Sequence, residues 1–402
     1  MRPLSDEALA FFASPAGRKA LASLEDVPEG LSGATQLRGA GYSADQAGWL
    51  QDQAKLRRRA ERKFGPEAAR LLLTREALEQ ASARPVAEWR SRRLASVLSP
   101  GARVLEVGAA TGGDTLALAR AGLRVVACEL DPIRAGLLRW NVEALGLSEQ
   151  VEVVEGDATL QSWTGLDAVY ADPARRREGR RSLGLEAGSP PLSVLRAIGC
   201  QDLLVKAAPG LDPSEVPDAL GLTFVSLRRE LKEGLLAGGA LRRVFAGQPG
   251  QGRAWILSAS GEAPQELCGP RELPARTAAP GAFMFDPDPA VTRAGLIRAL
   301  GRELDAWQLD PRIVFLSGDV AHTTPFASSH QVVQSGPFRR KTLAAWVRAE
   351  GAGRVDVKQR GLRGDPNQVA GKLPTKKGGP VVTAFLYQTD SGPQAVLCRE
   401  PD

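Results

Sequence analysis

The chain has 402 residues, 43% apolar and 24% charged, with a formal net charge of +6. That length supports two or three domains with separate cores, and no stretch approaches the ~18 uninterrupted apolar residues of a membrane-spanning helix. Four scattered cysteines (Cys128, Cys200, Cys268, Cys398) and two histidines (His322, His330) suggest neither a disulfide framework nor a zinc site. Asp6 and Glu7 interrupt the apolar centre a signal peptide needs, so a cytoplasmic, metal-free protein with reduced thiols is expected.

Residues 1–98 read as helical. Ser43 caps a helix that runs to Lys63 and is punctuated by Gly65 and Pro66. Thr74 caps another, with Glu76 and Glu79 near its start, and Pro85 opens one ending near Leu98. Lys55, Arg57, Arg58, Arg59, Arg62 and Lys63 crowd one of these helices, either as a solvated face or as part of a polyanion surface.

Residues 104–114 carry the most information. The apolar run Val104, Leu105, Val107 enters a turn reading Glu106-x-Gly108-x-x-x-Gly112, followed by an alanine- and leucine-rich helical segment. Turn glycines admit close backbone approach, and a helix start offers N–H groups to a ligand. The spacing differs from the Gly-x-Gly-x-x-Gly of pyrophosphate-binding folds, and an acid before the first glycine suits a cationic ligand. S-adenosylmethionine, whose amino-acid part carries an ammonium, is such a ligand.

Three further strands follow, each ending in an acid. Leu123–Cys128 ends at Glu129, suited to two ribose hydroxyls; Asp131-Pro132 then opens a helix. Val151–Glu155 leads to Gly156-Asp157-Ala158, with Asp157 suited to an adenine amino group, and Leu166–Ala171 ends in Asp172-Pro173-Ala174-Arg175. A polar residue at every strand tip is how an open parallel sheet builds a site, although each acid taken alone could cap a helix or turn. The candidate cofactor residues are therefore Glu106, Gly108, Ala109, Gly112, Asp114, Glu129, Leu130, Asp157, Ala158 and Asp172.

Leu203–Val205 is a fifth strand, with Lys206 at its end; Thr223–Leu227 and Ala254–Leu257 are the sixth and seventh, expected as a terminal hairpin. Proline-rich residues 263–282 read as a linker between a domain at 99–262 and an α+β module at 283–402. That module is expected to hold amphipathic helices at Pro289–Leu304 and Phe338–Glu350. Its expected strands are Arg354–Lys358 and Val381–Tyr387, the latter pairing with Ala395–Cys398.

Residues about 100–260 resemble a class I S-adenosylmethionine-dependent methyltransferase. Leu78-Glu79-Gln80-Ala81-Ser82, Val86-Ala87, Arg90, Asp172-Pro173-Ala174-Arg175-Arg176 and Lys206-Ala207-Ala208-Pro209 extend the likeness. So do Asp286-Pro287-Asp288-Pro289-Ala290, Thr324-Pro325-Phe326 and Val355–Gly361. Together they are similar to a bacterial family in which such an enzyme carries a C-terminal THUMP-like domain. The resemblance implies an α/β, Rossmann-like seven-stranded sheet with an N-terminal helical region, S-adenosylmethionine as cofactor and RNA as partner.

Two chemistries compete for the acceptor. Asp172-Pro173-Ala174-Arg175 occupies the place where exocyclic amino methyltransferases of nucleic acids carry Asp-Pro-Pro-aromatic, with Ala174 and Arg175 departing from that pattern. An Asp and a Lys at the tips of strands four and five also resemble ribose 2′-O-methyltransferases; Lys206 would be the base and Glu230 or Glu233 its support, or else Lys206 partners Asp172 or contacts a phosphate. Asp172, Pro173 and Lys206 are thus the catalytic candidates. Gln80, Arg175, Arg176, Arg177 and Arg180 are the substrate candidates, and Gln80 with Ser82 is expected to close the pocket. A small-molecule or protein methyltransferase, or a non-catalytic RNA-binding module, remains the alternative.

Overall fold

Capping chemistry sets the N-terminal helices where the sequence places them. The computed structural model describes residues 4–401 except 175, 178, 179, 182, 183 and 259, with backbone alone for 176, 177, 180 and 181. Helices α1 (Asp6–Ala13), α2 (Pro15–Ala22) and α3 (Leu31–Gly39) precede the long α4 (Ala44–Phe64). Ser43 and Gln46 form a reciprocal capping box at the start of α4. Thr74 Oγ1 accepts from Ala77 N at 3.0 Å to start α5 (Arg75–Gln80), and Pro85 lies in the first turn of α6 (Arg84–Ala95). Phe11, Phe12, Leu21, Leu37 and Leu50 share one core with Leu137.

The basic stretch of α4 does not form a bare cationic face. Arg57 is buried and donates to the carbonyls of Leu71 (2.8 Å) and Leu21 (2.7 Å), and burial lowers its pKa to about 10. Lys63 donates to the carbonyls of Leu78 and Ala81, both at 2.7 Å, and Arg58 pairs with Glu29. Arg57 and Lys63 are thereby withdrawn from any shared cationic face, while Arg58, Arg59 and Arg62 stay exposed. Arg57→Met, which strands two buried carbonyls, should cost about 2–4 kcal/mol in urea unfolding. Its affinity for heparin should stay unchanged.

Met1–Leu222 with Glu233–Ala246 forms one compact unit, and Thr223–Lys232 with Gly247–Asp402 forms another. In the first, β1 (Arg103–Val107) pairs parallel with β2 (Arg124–Glu129) and β4 (Ala168–Ala171), and β2 pairs parallel with β3 (Val151–Glu155). A short ladder, β5 (Arg176–Arg177) with β6 (Arg180–Arg181), follows. Strand β7 (Leu203–Ala207) pairs parallel with β4. Helices α7 (Gly113–Arg120), α8 (Pro132–Ala144), α9 (Leu192–Ala197) and α10 (Arg242–Phe245) complete the unit. The apolar runs of its strands, with Val104 and Leu105 at 0% exposure, are those of a sheet buried on both faces.

The expected terminal hairpin is corrected. The strands β8 (Gly221–Leu227) and β10 (Gln251–Leu257) pair parallel and so cannot be a hairpin. The strand that reverses direction is β9 (Glu230–Ala237), antiparallel to β7. Its opening Glu-Leu-Lys-Glu reads as a loop because Glu233 is charged, yet Glu233 is only 3% exposed.

In the second unit, β11 (Gln265–Pro270) lies inside the segment expected as a linker and pairs antiparallel with β10. Strands β9 and β11 go beyond the seven expected. A further sheet runs in the order β13-β14-β12-β15-β18-β17-β16. Its strands are β12 (Phe283–Pro287), β13 (Trp307–Gln308), β14 (Leu316–Gly318), β15 (Ala327–Pro337), β16 (Arg354–Arg360), β17 (Val381–Thr389) and β18 (Gly392–Arg399). The antiparallel pairing of β17 with β18 matches expectation. The single helix expected over Pro289–Leu304 is instead α11 (Pro289–Arg293) and α12 (Ile297–Glu303), because Gly295 turns left-handed between them. Helices α13 (Arg340–Ala349) and α14 (Pro366–Ala370) follow. No helix among the described residues is long and apolar enough to cross a membrane.

Candidate active site

The turn after β1 is held by its own backbone. The N–H groups of Gly108 and Ala109 both donate to the Cys128 carbonyl, at 3.0 and 3.2 Å. Gly108 has φ +79°, and a Cβ there would stand 3.4 Å from the Asp172 carbonyl oxygen. Gly112 has φ +97°, and its Cβ would fall 2.6 Å from Leu138 Cδ1, so only glycine fits at the mouth of α7. Between them Ala110 takes φ +50°, a left-handed conformation that costs a non-glycine residue roughly 1–2 kcal/mol. Its N–H donates to Glu129 Oε2 at 2.7 Å, while Asp131 N donates to Oε1 at 3.0 Å. Two amides thus fix the Glu129 carboxylate, and each oxygen keeps a lone pair for a diol.

Beside Glu129, Leu130 is 68% exposed, an apolar side chain left for a ligand face. Asp157 accepts from Thr159 N (2.8 Å) and Oγ1 (2.6 Å), which lowers its pKa, and Ala158 next to it is buried. Glu106 is 2% exposed, and its Oε2 has no hydrogen-bond partner among the described residues. Burial, with the charge of Asp114, pushes the Glu106 carboxyl up to about 8. A buried carboxyl lacking a counter-ion is the place an ammonium would fill, so these residues fit an amino-acid nucleoside.

Behind the turn lies a buried charge network. Arg90, 1% exposed, donates Nη1 to both oxygens of Glu233 (2.5 and 2.6 Å) and Nη2 to Ser82 Oγ (3.2 Å) and to Asp114 Oδ1. Tyr170 donates its hydroxyl to Asp114 Oδ2 at 2.7 Å, and the Arg90 guanidinium lies 5.1 Å from its ring centroid. Lys206 Nζ donates to Ser82 Oγ (3.0 Å), Asp114 Oδ2 (3.3 Å) and Asp172 Oδ2 (2.5 Å). Burial opposes the charge on Asp114, but Arg90 and Lys206 outweigh it and hold its carboxyl well below the usual range. Burial likewise opposes the Lys206 ammonium, while Asp114 and Asp172 prevail and raise its pKa.

Lys206 is therefore a charged ammonium with all three donors used, unsuited to accept a proton. Of the two readings of Lys206, a base or a partner for Asp172, this geometry favours the partner. Asp114, expected at the cofactor, turns its carboxylate to Arg90, Lys206 and Tyr170. Of the two expected supports, Glu233 joins the network through Arg90, whereas exposed Glu230 pairs with Lys232. Gln80 is exposed and bonds Glu76 at 3.4 Å; the structure brings Ser82, not Gln80, to the cluster. Tyr170 was hidden in the apolar run of β4, and only its polar ring atom betrays the role.

Pro173, Leu185, Leu192, Lys206, Leu211 and Leu236 line a small, open cleft that begins one residue after Asp172, whose side chain is 32% exposed. Arg175 lies outside the described residues, as do the side chains of Arg176, Arg177 and Arg180. Among the described residues no group of His, Cys, Asp and Glu could hold a metal ion.

A Mycobacterium tuberculosis protein, described as an uncharacterized S-adenosylmethionine-dependent methyltransferase, is 34% identical over 376 residues. The match spans 88% of this chain and 98% of that one. The chain belongs to the S-adenosylmethionine-dependent methyltransferases. Its cofactor is S-adenosylmethionine. Within the methyltransferase, residues 327–400 match the THUMP domain-like family model, and residues 6–60 match a domain of unknown function (DUF8688). The crystal structure of a candidate methyltransferase from Porphyromonas gingivalis W83 superposes over 100% of both chains with TM-score 0.74 and 18% identity, which shows the shared fold. A 78-residue stretch is 37% identical to a probable ribosomal RNA small subunit methyltransferase A of Methanosarcina mazei, covering 19% of this chain and 28% of that one.

Proposed function

We propose that this methyltransferase modifies RNA, at an exocyclic amino nitrogen of a base. The observation that carries the reading is the Asp172–Lys206 pair at 2.5 Å beside an apolar cleft. A ribose hydroxyl needs a base to become a nucleophile, and Lys206 with its raised pKa and spent donors offers none. A base amine needs its lone pair freed from the ring and aimed at the methyl carbon; a hydrogen bond from its N–H and alignment supply both, and the proton released on transfer leaves to solvent. Asp172 accepts an N–H of that amine while Lys206 fixes its other oxygen, and Pro173 and the leucines of the cleft face the ring.

The cofactor, when bound, supplies a methyl group on a sulfonium. Glu106 takes its ammonium, Glu129 its ribose hydroxyls, and Asp157, Leu130 and Ala158 its adenine; Gly108, Ala109 and Gly112 let the backbone approach. On this reading residues 99–262 carry the cofactor chemistry and residues 283–402 contact the RNA. The THUMP domain-like match supports RNA as partner, as do the exposed Arg339, Arg340, Lys341, Arg363, Lys372, Lys376 and Lys377. The short likeness to a ribosomal RNA enzyme concerns too little of the chain to choose a species.

Mass spectrometry of nucleosides from a strain lacking the protein and from its parent tests the reading. One N-methylated nucleoside should be missing, whereas a missing 2′-O-methyl or an unchanged profile would overturn it. Binding of total RNA should weaken about 10³-fold or more between roughly 50 and 200 mM salt if six or more phosphates are neutralised.

A further inference from the structure

We infer that Arg90 is a positioning residue for the acceptor: it holds Asp114 and Glu233 so that Lys206 is left to fix Asp172. The inference rests on the proposed role of Asp172. Arg90 comes from α6, far in sequence from the strands it serves, yet its fork meets two carboxylates and Ser82 at once. Buried guanidinium and carboxylate groups survive only when paired, so these three charges fix one another.

The competition for Lys206 decides the geometry. Its ammonium stands 3.3 Å from Asp114 and 2.5 Å from Asp172. While Arg90 and Tyr170 occupy Asp114, Lys206 is free to lean on Asp172. Without Arg90, the Asp114 carboxylate has Lys206 as its one remaining cation within the network and draws it inward. Asp172 then loses the partner that aims it. Ser82 works in the same sense, because one hydroxyl oxygen accepts from both cations and ties them to the end of the segment after α5.

A structural role alone makes a different prediction from a positioning role. Arg90→Met with Glu233→Leu removes one cation and one anion, and apolar replacement of a buried ion pair is often neutral or stabilising. Urea unfolding of this double variant should therefore match the parent. Its kcat for methyl transfer to undermethylated total RNA should nevertheless fall about 10- to 100-fold, with KM for RNA and Kd for S-adenosylhomocysteine nearly unchanged. Parental kcat in the double variant would overturn the inference. Ser82→Ala, a milder change that keeps every charge, should lower kcat about threefold to tenfold, and parental activity there would count against it equally.

A second readout needs no substrate. In the full-length protein, acetic anhydride should acetylate Lys206 far more slowly than exposed Lys372 and Lys376, as read by peptide mass spectrometry. In the double variant, labelling of Lys206 should fall severalfold further, because Asp114 draws the ammonium inward and holds it charged. Unchanged labelling would refute the positioning role. If the parent methylates no RNA, the reading of the acceptor fails, and the labelling result alone still decides the place of Arg90.

Discussion

Asp172→Asn should lower kcat for methyl transfer by about 10²-fold while S-adenosylhomocysteine binds with nearly parental affinity. The change is nearly isosteric, so the loss has an orientational cause. Lys206 presents an ammonium to one side of the side chain at 2.5 Å, and only an oxygen is tolerated there. The amide must therefore turn its oxygen inward and its NH2 outward. An acceptor amine then meets a donor where it needs an acceptor. Single-turnover transfer from labelled S-adenosylmethionine to undermethylated RNA measures the effect. Retention of half the parental rate in the Asn variant would remove Asp172 from the acceptor site.

Cofactor binding at pH 7 should release close to one proton, and Glu106→Gln should abolish that release. Burial and the charge of Asp114 push the Glu106 carboxyl up to about 8, so in the free protein it is mostly protonated at neutral pH. An arriving ammonium favours the ionised form, and the proton leaves. Affinity should therefore rise with pH, approaching tenfold per unit, from about 6 towards 8. Above about 8 the α-ammonium of the ligand itself begins to deprotonate, and affinity turns over. Glu106→Gln should keep only the falling limb and bind roughly 10- to 100-fold more weakly at the optimum, the worth of a charge-assisted hydrogen bond. Calorimetry in buffers of different ionisation enthalpy reads the proton count directly. A flat profile in the parent would mean that Glu106 does not meet the ammonium.

The cofactor half was legible because its signals are local. A glycine turn, an apolar run and an acid at the strand tip all lie within a few residues, and the parallel sheet places the acids of successive strands side by side. The acceptor half was legible only in part. Asp172 and Lys206 were found as strand-tip residues, but the state of Lys206 depends on Asp114, Ser82 and Arg90, which the sequence does not bring together. Arg90 and Glu233 stand 143 residues apart, and nothing in either segment announces the other. The same pairing hid β9, since Glu233 breaks an apolar pattern that its ion pair makes tolerable. Strand β15 was missed for a different reason: Ser328, Ser329, His330 and Gln331 are half-buried polar residues, and period-two alternation disappears when both faces carry them. The helix expected across Pro289–Leu304 failed at one backbone angle, that of Gly295.

The discontinuity of the first unit bears on how the polypeptide matures as it is made. Its sequence is complete only when Glu233–Ala246 has been translated, after an excursion through Thr223–Lys232 that belongs to the other unit. A nascent chain halted at Leu222 contains the Arg90 helix and Asp114 but lacks Glu233, the other carboxylate that the guanidinium meets. Such an intermediate holds Arg90 against Asp114 alone, with the other arm of the buried fork unpaired. Vectorial synthesis therefore closes the buried charge network only after the ribosome has passed the return strand.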